Sequence, residues 1–191
     1  MLLTFSLFSS INVQVRIRDA ETKEWVHFKH DGTRFDEIGG VTGTAGGSGG
    51  SNPGTVKLVT GHKYLFLLGL PKACQIKPAN EQGDKYIQLV QGEDEEAISL
   101  KVTEDDSQKN QSFEWTNSFP PCQNKERQII RLSFLLEQNE YKLNVPILVK
   151  TYNKGEVKGL RNGKSLSCIT FKMEPNLKMG YDLHQVEFSG L

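Results

Sequence analysis

The chain has 191 residues, with 23 Lys plus Arg against 23 Asp plus Glu, so its formal net charge is zero. That length suits one domain, which buries roughly 70% of its unfolded surface and folds without disulfide or metal staples. The charge balance excludes the basic excess that duplex nucleic acid or an anionic membrane surface requires of its partners.

The first ten residues are apolar, but Thr4 and Ser6 interrupt them and no Lys or Arg precedes Arg16. No cleavage site follows, so export is not expected. Ile11, Val13, Val15 and Ile17 then alternate with Asn12, Gln14, Arg16 and Arg18, the signature of a strand with one wet face. The same period returns at Ile98, Leu100 and Val102, at Ile130, Leu132 and Phe134, and at Ile169, Phe171 and Met173. Residues 25–28, 56–60, 63–68, 86–90 and 141–152 read as further strands. Asp31-Gly32 and Thr60-Gly61-His62 look like hairpin turns, and Asn153-Lys154-Gly155 and Asn162-Gly163 punctuate the later part. No segment carries a clean helical stripe, and no run approaches the roughly 18 apolar residues of a membrane-crossing helix. The expected fold is all-β, a single antiparallel sandwich or barrel of about nine or ten strands.

Residues 39–54, GGVTGTAGGSGGSNPG, predict a flexible Gly/Ser-rich loop inserted between two strands of that domain. The acidic clusters at 93–96 and 104–106 read as solvated strand ends.

Little in the chain points to catalysis. Gly46-Gly47-Ser48-Gly49-Gly50 formally matches a nucleophile elbow, but the required strand before it and helix after it are missing, so a hydrolase built on Ser48 is a weak alternative. The same glycines lack the Lys-Ser/Thr ending of a phosphate cradle. Cys74, Cys122 and Cys168 are odd in number and widely spaced, which fits reduced thiols in a cytosolic protein better than a disulfide framework. His27, His30, His62 and His184 show no ligand spacing. No catalytic residue, cofactor or metal is assigned. A binding module is the expected class.

Two blocks carry a resemblance. The first is Ile11 to Ile17, then Trp25 to Phe35 with Asp31, Gly32, Arg34 and Phe35 in a D-G-x-R-F turn. It resumes with Thr55, Lys57, Leu58, Thr60, Gly61 and Tyr64 in a T-[IV]-K-L-x-T-G-x-x-Y stretch. The second holds Glu126-Arg127-Gln128, then Lys150-Thr151-Tyr152-Asn153, then a late Pro175-Asn176. In these blocks the chain resembles the cannabinoid receptor-interacting protein family, with residues 39–54 as an insertion the family lacks.

The resemblance implies a non-enzymatic cytoplasmic protein that binds the C-terminal tail of a cannabinoid-type G-protein-coupled receptor and modulates its signalling. Such a partner would recruit it to the inner face of the plasma membrane. The implied fold resembles the β-sandwich of Rho guanine-nucleotide dissociation inhibitors, which hold a lipid tail between two sheets. A carrier for lipid-modified protein tails is therefore the alternative reading. Alternation turns Phe28, Phe134, Val149 and Phe171 inward, as lining of such a cavity or as plain core. The chain ends Phe188-Ser189-Gly190-Leu191, and Ser189 with Leu191 fits the ending that PDZ domains read, against a frayed tail.

Overall fold

Strand β1 (Ile11–Asp19) follows directly from its sequence: Ile11, Val13, Val15 and Ile17 are buried, while Asn12 and Gln14 face solvent. The structure is a computed structural model and describes residues 9–30, 54–92, 96–105, 110–123, 126–176, 178 and 180–191. The Asp31-Gly32 turn, almost all of the Gly/Ser-rich insertion and Ser48 lie outside the described residues.

The other strands are β2 (His27–His30), β3 (Gly54–Val59), β4 (Lys63–Gly69), β5 (Lys85–Gln91), β6 (Ile98–Asp105), β7 (Asn110–Thr116), β8 (Gln128–Leu135), β9 (Lys142–Tyr152), β10 (Lys164–Pro175) and β11 (Tyr181–Gly190). One short helix, α1 (Val157–Arg161), links β9 to β10.

The strands form two layers. One sheet runs β11-β10-β1-β4-β7 and ends on the second half of β6. The other runs from the first half of β6 through β5, β8, β9 and β3 to β2, which pairs the start of β10. β6 and β10 each belong to both layers, so the sandwich closes on itself as a ten-stranded barrel with β11 flanking β10. The all-β expectation holds.

The pairing is not purely antiparallel. β3 and β9 run parallel, Val56 opposite Val149 and Val59 opposite Tyr152, so the barrel is mixed. β3 is accordingly buried along its whole length, on both faces. The Thr60-Gly61-His62 turn is not a hairpin either. It carries the chain from β3 in one layer to β4 in the other, with Gly61 at φ +74 and its N–H donated to the Asn117 carbonyl at 2.7 Å.

The core lies between the layers. The first sheet contributes an aromatic wall, in which Phe66 stacks on Phe113 at 5.0 Å and meets Trp115 edge-on at 6.0 Å. The second contributes mainly aliphatic side chains, among them Leu58, Ile87, Leu89, Ile130, Leu132 and Val145. Ile98 departs from expectation. Its alternation predicts burial, yet it is 42% exposed, because it begins β6 at the rim of the barrel.

Candidate functional site

The ladder between β5 and β8 runs from Gln91 opposite Ile130 to Gln88 opposite Ser133 and ends there. Past that point the two strands part, and the chain around Lys77 enters the fork. Ile76 bridges Leu136, Pro78 bridges Lys85, and the Lys77 N–H donates to the Leu135 carbonyl at 2.8 Å. An open groove of about 600 Å³ lies over the fork. Tyr86, Gln88 and Val90 enter it from β5, Ser133 and Leu135 from β8, and Pro78, Ala79 and Ala97 from the flanking segments.

The groove has polar groups on an apolar ground. Gln88 donates to Ser99 at 3.1 Å across to β6. Among the described residues the charged groups lining it are Lys77 and Lys142, with no carboxylate. Lys77 pairs at 2.6 Å with Glu140, just outside. Lys142, opposite Leu135 in the β8–β9 ladder, is exposed and makes no ion pair among the described residues.

Of the four residues expected to line a cavity, only Phe134 reaches this groove. Phe28, Val149 and Phe171 are buried in the core. Phe28 and Val149 flank Val56 on the adjacent strands β2, β3 and β9, whereas Phe171 belongs to β10, where it pairs Val13 and Val186. The C-terminus is not a frayed tail. Ser189 pairs with Cys168 and the Leu191 N–H donates to the Ser165 carbonyl at 3.0 Å, while the Leu191 side chain is 76% exposed.

The remaining candidates for chemistry are quiet. The three cysteines are free. Burial pushes the Cys74 and Cys122 thiols up, away from the reactive thiolate. Burial, with Lys57 and Arg161 nearby, holds His27 below its ordinary value and so neutral. Among the described residues no three His, Cys, Asp or Glu side chains are grouped to hold a metal ion.

Compared with known families, residues 8–182 match the profile described as CB1 cannabinoid receptor-interacting protein 1. The chain belongs to this family. A comparison with curated proteins gives no match.

Among the described residues, several that carry the family motifs serve the architecture. Lys57 is buried on β3 and its Nζ donates to the carbonyls of Gly159, at 2.6 Å, and Asn162, which fastens the end of α1 to the sheet. Tyr64 accepts the Val59 N–H at 2.7 Å, and burial pushes its hydroxyl pKa up to about 12. Arg127 donates to Thr55 at 3.2 Å, Gln128 donates to the Pro120 carbonyl at 2.8 Å, and Thr151 donates to Gln128 at 2.7 Å. Asn176 accepts the N–H groups of Lys178 and Gly180 and so shapes the β10–β11 turn.

The groove escaped the sequence reading for a definite reason. Its side chains sit on the outer face of strands that were read for their inner face. One signal was available: Tyr86 and Val90 are apolar where alternation with Ile87 and Leu89 calls for polar residues.

Proposed function

We propose that this protein is a non-enzymatic cytoplasmic regulator that binds the C-terminal tail of a cannabinoid-type G-protein-coupled receptor as a short peptide and modulates its signalling. Family membership over residues 8–182 is the observation that carries this reading. An open groove with apolar ground, side-chain amide and hydroxyl groups and lysines at its edge supports peptide recognition, because such a surface offers both burial and orientation.

No helix in the described residues is long and apolar enough to cross a membrane, so membrane proximity in this reading comes from the receptor. The C-terminal residues Ser189 and Leu191 are a second candidate contact, for a PDZ domain. Strand addition there requires the chain end to leave Cys168 and Ser165 first, so that partner competes with β10.

The test is calorimetric titration of a cannabinoid receptor C-terminal peptide, with and without a palmitoyl group on its cysteine, into the full chain. Micromolar binding of both forms is expected. Binding of the lipidated form alone would replace peptide recognition by the lipid-carrier reading, and binding of neither would overturn both.

A further inference from the structure

Three large apolar side chains are exposed among the described residues: Ile98, Leu135 and Leu191. Leu191 ends the chain. Leu135 lines the groove, whereas Ile98 sits opposite the buried Leu89 at the barrel rim. An exposed leucine therefore stands at the fork, where β5 and β8 part around residues 76–78.

Among the described residues the charged groups lining the groove are both lysines, Lys77 and Lys142. Lys77 is already paired with Glu140, just outside the groove. Lys142 stands beside Leu135 in the ladder, with its ammonium unmatched by any acid among the described residues. An acyl chain would make no use of Gln88, Ser133 or the lysines, whereas a peptide backbone with an acidic side chain uses all of them. A volume of about 600 Å³ suits a few side chains of an extended segment.

We infer that this groove is the docking site for an extended acidic-apolar peptide segment of a partner protein, which seats an apolar side chain against Leu135 and a carboxylate at Lys142. The inference rests on the reading of the chain as a peptide-binding regulator, and it assigns the site and the chemistry of the segment.

The experiment uses the full chain and two probes. They are a blocked hexapeptide alternating glutamate with leucine and the same peptide with lysine in place of glutamate, each followed by fluorescence anisotropy. Wild type is expected to prefer the glutamate peptide by about tenfold. Lys142→Glu should reverse that preference, and Leu135→Asn should weaken the glutamate peptide by about tenfold. Both side chains are exposed, so circular dichroism spectra should match wild type. An unchanged preference in Lys142→Glu, or no binding of either peptide at millimolar concentration, overturns the inference.

The receptor-tail peptide, titrated into the same three proteins, separates the two readings. Equal binding to all three keeps the receptor and rejects the groove. Glutamate-peptide binding that depends on Lys142, with no binding of the receptor tail, keeps the groove and rejects the receptor.

Discussion

Asn117 is fully buried and satisfied on every side. Its Nδ2 donates to the Val59 carbonyl at 3.0 Å, its Oδ1 accepts the Phe119 N–H at 3.1 Å, and its backbone bonds Gly61 and His62. It ties the crossing between β3 and β4 to the end of β7. Asn117→Ala strands the Phe119 N–H and leaves the Val59 carbonyl with the His62 N–H alone, and a loss of about 2 kcal/mol in urea unfolding is expected. Asp19 does similar work on the surface. Burial raises its carboxyl pKa, but the Thr22 N–H, the His62 ring and the Glu21 N–H outweigh that and hold it below 3.8. Because the folded value is depressed, the stability it adds is present above about 4 and is lost as pH falls through the folded value. The stability gap between wild type and Asp19→Asn should therefore close when urea midpoints are measured at pH values progressively below about 4. Neither role was legible in the sequence. An Asn between Thr116 and Ser118 says nothing of the turn that will need its amide.

At the scale of elements, the strands that were missed explain themselves. β11 begins with Tyr181 and Leu183 on one phase and continues with Val186 and Phe188 on the other. The register shift falls between these pairs, since Lys172 lies opposite Gln185 and Met173 opposite Leu183, leaving His184 as the extra residue. A bulge erases the period that a sequence reading depends on. β7 hid differently, because the buried Gln111 occupies the first inward position before Phe113 and Trp115. β11 is nonetheless anchored. Phe188 stacks on Phe28 at 5.3 Å, and its ring would lie 2.9 Å from a Cβ placed on Gly54. Phe188→Ala opens that contact, and a loss of about 2–3 kcal/mol is expected in thermal or urea unfolding. The same substitution should raise hydrogen exchange along β11 before it does so in β1.

Across the whole molecule, the class of fold and the inward face of most strands follow from the residue pattern alone. A two-residue apolar period is local, and one face of each strand must leave water whatever its neighbours are. The family blocks were legible for the same reason, as Lys57, Tyr64, Gln128 and Asn176 keep short-range spacings. That β3 lies parallel to β9, that β6 and β10 belong to both layers, and that β5 and β8 part to make a groove emerge from the folded arrangement. A strand's hydrogen-bond partners come from distant parts of the chain, and periodicity records which face is buried but not which neighbour sits alongside or in which direction it runs. The groove depends on where one ladder ends, and that is a property of the pair of strands, carried by neither sequence alone.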